Sequence, residues 1–144
     1  MSTHMTGDEG VINWLKAWAQ AIRENELDKG RALFADDASG FGTITFITHS
    51  LDELVERQWA NVWSSTKEFD FDWTLIRIRL SPDELQAVIH SPWTSVGTDE
   101  KGGDRHRKGR ATIVLLRDNA AASWKCVHTH VSMWPNGADT QLMN

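Results

Sequence analysis

The spacing of apolar residues changes once along this chain, from helical before Trp63 to alternating after it, and never changes back. Helices followed by an unbroken run of strands imply an α+β fold, because a parallel α/β sheet requires the two element types to alternate. In the helical part, Val11, Leu15, Trp18, Ala19 and Ile22 predict an amphipathic helix from Val11 to about Glu24, with Asp8 and Glu9 ahead of it at the positive end. Trp14 lies four residues before Trp18, so this helix presents two indoles on one side. A second, short helix is expected over Asp28 to Phe34, ended by the polar ADDASG segment, and a short β-branched strand over Thr43 to Ile47. The third helix opens at Ser50, with Glu53 completing a capping box, and runs to about Trp63. Its buried stripe is Leu51, Leu54, Val55, Gln58, Trp59 and Val62, with Trp63 one turn beyond Trp59.

The alternating part begins with FDFDWTLIRIRL, Phe69 to Leu80, whose buried face switches near Leu75; a bent or bulged strand is expected there. After a turn at Ser81 to Glu84, a strand returns through Ala87, Ile89 and Trp93, and Pro92 predicts an irregularity or edge exposure within it. A glycine-rich turn at Gly97 to Asp104, a strand over Gly109 to Arg117 and a closing strand, Trp124 to Met133, complete an antiparallel meander. The expected architecture is a curved sheet around three N-terminal helices, with a pocket at its open end. One domain over residues 11–135 is expected, between a loose N-terminus of residues 1–10 and a tail of residues 136–144.

In the closing strand, strict alternation puts Trp124, Cys126, His128, His130 and Ser132 on one face and Val127, Thr129 and Val131 on the other. Two histidines about 7 Å apart at Cα can address one ligand. Two readings stay open: one imidazole is bonded in the core and the other exposed, or one projects into the pocket as a proton donor or base near neutral pH.

A net charge of -5 argues against nucleic acid or an anionic membrane as partner. The one basic cluster, Arg105, His106, Arg107, Lys108 and Arg110, reads as a solvated strand entrance. Cys126 is the single cysteine, which excludes an intrachain disulfide and suits a reducing cytoplasm. With no export signal and no apolar run long enough to span a bilayer, a cytoplasmic location is expected. A catalytic metal needs about three protein ligands, and His49, His90, Asp36 and Asp37 are scattered singly, so no metal and no cofactor is implied.

Four segments, ADDASGFGT at Ala35 to Thr43, PWTSVGTDEKGG at Pro92 to Gly103, GRATIVLLR at Gly109 to Arg117 and WKCVHTHVSM at Trp124 to Met133, resemble the signature segments of SnoaL-like domains in the nuclear transport factor 2-like superfamily. The resemblance runs in order from Val11 to Pro135. It implies a cone-shaped α+β barrel, dimerisation through the outer face of the sheet, and an apolar cavity between helices and sheet. Members include ketosteroid isomerases, polyketide cyclases, epoxide hydrolases and dehydratases, and proteins that only bind or assemble. The ketosteroid isomerase pattern is not met: Phe41 and Gly42 stand where the general-base aspartate belongs. Ile113 or Val114 stands at the oxyanion aspartate, and the chain has no tyrosine.

The candidate catalytic residues are therefore His128 and His130, with Asp37 as a carboxylate able to orient an imidazole; Asp36 and Asp37 otherwise read as a turn or cap. Trp14, Trp18, Trp59, Trp63, Trp93 and Trp124, drawn from eight tryptophans, are the candidate walls of a site for a hydrophobic or aromatic small molecule. Arg110 is the candidate clamp for a ligand carboxylate. Two functions stay open: an acid-base isomerase, cyclase, dehydratase or hydrolase, and a non-catalytic dimerisation or ligand-sensing module.

Overall fold

Residues 6–135 are described in the computed structural model; the expectations for residues 1–5 and for the 136–144 tail lie outside them. The first helix, α1, spans Thr6–Arg23, so helical structure starts five residues ahead of Val11, with Asp8 and Glu9 inside its first turn. Val11, Leu15, Trp18 and Ala19 are buried, as the periodicity requires. The second helix, α2, is only Leu27–Arg31. It ends because Phe34 is drawn into the core, where its ring meets Trp59 at 4.9 Å and Trp18 at 5.5 Å.

The segment after α2 is not the expected polar stop. Residues Phe34–Phe41 form a strand, β1, that pairs in parallel with the last strand of the chain. The acidic doublet Asp36 and Asp37 is compatible with a strand because β1 lies at the sheet edge, where charged side chains face water and discourage further pairing. Residues 42–47 form a loop where a short strand was expected: only Thr48 bridges back, to Gly40, and Phe46 is 91% exposed.

The third helix, α3, is one continuous rod over residues 51–65 with three geometries: α-helical at Leu51–Glu53, π-helical at Leu54–Trp59, then α-helical at Ala60–Val62 and 3₁₀ at Trp63–Ser65. Ser50 caps it by accepting from the Glu53 N–H at 3.2 Å. Glu53 reciprocates one residue earlier than in a capping box, accepting from the His49 N–H at 2.8 Å. Leu51, Leu54, Val55, Gln58, Trp59 and Trp63 are buried, while Val62 is half-buried.

Five further strands follow: β2 at Lys67–Phe71, β3 at Arg77–Leu80, β4 at Gln86–Thr98, β5 at Asp104–Leu116 and β6 at Lys125–Met133. The expected bend near Leu75 is a full break between β2 and β3, where Asp72 accepts from the Thr74 N–H and hydroxyl. Both short strands pair with β4, and the change of partner falls at Pro92, beside which the β4–β5 ladder continues without interruption. Proline thus marks an irregularity on one side only. The sheet order is β1-β6-β5-β4-β2, antiparallel except for β1–β6, giving a curved, unclosed mixed sheet packed on the helices. The architecture is α+β. No helix among the described residues is long and apolar enough to cross a membrane.

Candidate functional site

Alternation along β4 and β5 fixes which side chains face the helices. Ala87, Ile89, Ser91, Trp93 and Ser95 of β4 and Ala111, Ile113 and Leu115 of β5 are buried, so odd-numbered positions point inward on both strands. On β6 the parity breaks. Val114 pairs with His128, yet Leu115 pairs with Cys126, leaving Val127 as an extra residue in a β-bulge. Cys126 faces inward before the bulge; after it, Thr129, Val131 and Met133 do. His128, His130 and Ser132 therefore lie on the outer face, opposite Val114, Thr112 and Arg110.

The histidines consequently do not enter the interior, contrary to the strict alternation of the sequence. His128 Nδ1 and Ser39 Oγ share a hydrogen bond of 2.8 Å, and the Phe41 ring stands edge-on to His128 at 5.0 Å and to His130 at 5.2 Å. Burial, and then the neighbouring His130, push the His128 pKa below the ordinary histidine value. Asp37 is exposed on β1 and forms no dyad with either imidazole. Arg110 also faces outward, its guanidinium 4.9 Å from the Trp134 ring. With His90, Thr112, His130 and Ser132 it borders an open groove.

Cys126 is fully buried and donates to the His128 carbonyl, and burial pushes its thiol pKa up. Among the described residues, no three His, Cys, Asp or Glu side chains come together as metal ligands.

Between α3, the end of α1 and the concave face of the sheet lies a hollow of about 70 Å³, room for several water-sized groups. Trp18, Trp59, Trp63 and Trp93 wall it, with Ile22, Phe69, Val131 and Met133. Trp59 and Trp63 stack at 4.4 Å with planes 16° apart, and Trp93 stacks on Phe69 at 5.6 Å. The stacked pair sits over Gly30, where a Cβ would lie 2.8–2.9 Å from both rings. Trp14 and Trp124 are not wall residues. Trp14 donates to the Leu33 carbonyl at 3.0 Å within the core, and Trp124 packs near Gly10 beneath the Arg117 guanidinium at 4.1 Å.

The polar lining comes from residues that the sequence pattern did not single out as site residues. Gln58, on the π-helical part of α3, accepts from the Ile44 N–H and Thr45 hydroxyl and donates to Thr43 Oγ1 at 2.7 Å, strapping the 42–47 loop to the mouth of the hollow. Thr129, Thr66 and Ser95 add hydroxyls. Arg107 adds the one charged group among the described lining residues. It is half-buried, donating to Thr66 Oγ1 at 2.8 Å and to Ser95 Oγ at 3.1 Å, and burial, then Arg105, lower its pKa. Parity was its signal: stepping back by two from Ala111 through Gly109 gives Arg107, provided that β5 extends that far. Phe41 and Gly42 also border the hollow, and Ile113 is buried on the concave face.

Comparison with curated protein sequences gives no match. Solved structures of similar shape include a nuclear transport factor 2-like superfamily protein from Salmonella enterica serovar Typhimurium, at 17% identity and a TM-score of 0.75 over 94% of this chain and 96% of that one. A ketosteroid isomerase-like protein from Erwinia carotovora atroseptica is 17% identical, with a TM-score of 0.67 over 89% and 93%. A provisionally assigned scytalone dehydratase from Novosphingobium aromaticivorans is 14% identical, with a TM-score of 0.74 over 92% and 87%. At these identities the likeness establishes the nuclear transport factor 2-like fold. The sequence pattern of the SnoaL-like domain matches residues 11–135, and the chain belongs to that family.

Proposed function

We propose that this chain is a small-molecule-binding SnoaL-like domain that holds a ring-bearing, largely apolar ligand between α3 and the concave face of the sheet, with a binding or sensing role. One observation carries this reading: four indoles wall the hollow, and its described lining contains no imidazole and no carboxylate. Flat aromatic walls with a few placed polar groups suit a ring compound. General acid-base catalysis needs a titratable group within hydrogen-bond reach of the reacting atom. The histidines lie across the sheet from the hollow, which favours binding over an isomerase, cyclase, dehydratase or hydrolase reaction. The names of two similar structures, an isomerase-like protein and a dehydratase, supply no such group to this lining. The same reading makes the domain a homodimer through the outer face of the sheet and places it in the cytoplasm, where an unpaired thiol stays reduced.

Tryptophan emission tests the site directly. Titration with a panel of small single-ring compounds is expected to shift or quench the emission saturably, because the wall residues are the reporters. The response is expected to survive His128→Ala and His130→Ala. A flat response across the panel would remove the binding function, and loss of response in the histidine variants with the fold intact would return those residues to the site.

A further inference from the structure

We infer that the ligand of this hollow carries a carboxylate or similar anionic oxygen group, bound by Arg107, on its apolar ring body. The inference rests on the reading of the hollow as a ligand site and names the chemical class that fits it. Arg107 belongs to no ion pair among the described residues; the four that form are Arg23–Asp70, Arg31–Asp52, Arg57–Glu53 and Lys67–Asp104, all elsewhere. A guanidinium offers five N–H donors, and here two protein acceptors are in place, the hydroxyls of Thr66 and Ser95. Both are neutral. Thr66 donates its own hydroxyl hydrogen to the Val62 carbonyl at 2.7 Å, so its oxygen lone pairs are left for the arginine. The cation is thus held in place by groups that do not neutralise it, which is the arrangement of a docking point awaiting an anion.

The neighbouring backbone is shaped for the same purpose. Gly97 lies on β4, where a Cβ would come within 2.8–3.1 Å of the Arg107 side chain, so the bare glycine lets the guanidinium lie against the strand. Two wall residues, Trp18 and Trp93, have indole N–H groups with no acceptor among the described residues. Both nitrogens are sealed within the wall, so the unused polar capacity open to the hollow is that of the Arg107 guanidinium, and an oxygen-rich anionic group is its complement.

A matched series of probes tests this: phenylacetate, phenylacetamide and acetate, followed by tryptophan emission and calorimetry. Phenylacetate is expected to bind about tenfold more tightly than the isosteric amide, as a charge-assisted bidentate contact implies, and acetate more weakly than either. Arg107→Gln should bring acid and amide to parity. Gly97→Ala, which needs only the flexible end of Arg107 to move, should narrow the preference in the same direction and serves if the first variant does not fold. Equal binding of acid and amide by the unaltered protein, or a preference that persists in the variants, would overturn the anionic group while leaving ring binding intact. Acetate binding as tightly as phenylacetate would overturn the ring-bearing ligand. Silence towards all three probes would overturn the ligand site itself.

Discussion

His128 shows how much of a residue's chemistry is decided by its surroundings. Its imidazole is half-buried against Phe41, bonded to Ser39 and close to His130, and burial together with that second histidine lowers its pKa. A lowered folded-state value means that acid protonates the unfolded chain first. The contribution of His128 to stability is then full above the unfolded value of about 6.5 and is lost as the pH falls below it. Urea unfolding between pH 7.5 and pH 5 should therefore show a smaller acid loss for His128→Gln than for the unaltered protein. Identical slopes would mean that the imidazole is not desolvated in solution. Burial was legible in the sequence where helical spacing is strict, as Val11, Leu15, Trp18 and Ala19 show. The direction of His128 was not, because it depends on a hydrogen-bonding register that no side chain advertises.

At the level of elements, the sequence was most readable where side chains and backbone reinforce each other. The start of α3 follows from Ser50 and Glu53, and the shift in alternation near Leu75 marks the place, though as a bend and not as the full break between β2 and β3. Two elements were hidden for physical reasons. β1 reads as a polar stop because an edge strand needs only one protected face, and β6 reads as strictly alternating because a bulge adds a residue without altering composition. The unbroken ladder between β4 and β5 gives a test of how tightly these elements are fitted. A Cβ on Gly109 would meet the Ser132 carbonyl and the Trp93 ring well inside van der Waals contact, and the carbonyl belongs to backbone that cannot swing aside. Gly109→Ala is expected to destabilise the fold by about 2–3 kcal/mol, read as a lower urea midpoint with unchanged slope. A neutral effect would mean that β5 and β6 pack with room to spare.

The whole molecule presents two unlike sides of one sheet, a concave side closed by helices and a convex side bearing half-buried Val88, Val114 and His128 beside exposed His130. If the convex side joins two copies, sedimentation at tens of micromolar should give about twice the 16.3 kDa chain mass, and Val114→Glu should halve it while preserving the fold. A monomer in the unaltered protein would refute that assembly. The extra residue at Val127 carries a further consequence, one for heredity. Because a strand's side chains change sides with every step, loss of that single codon would leave a plain ladder in which Cys126 still points inward and both imidazoles still point outward. A relative without that codon would keep the same lumen, and any gapless alignment of the two across this strand would transfer roles to the wrong surface.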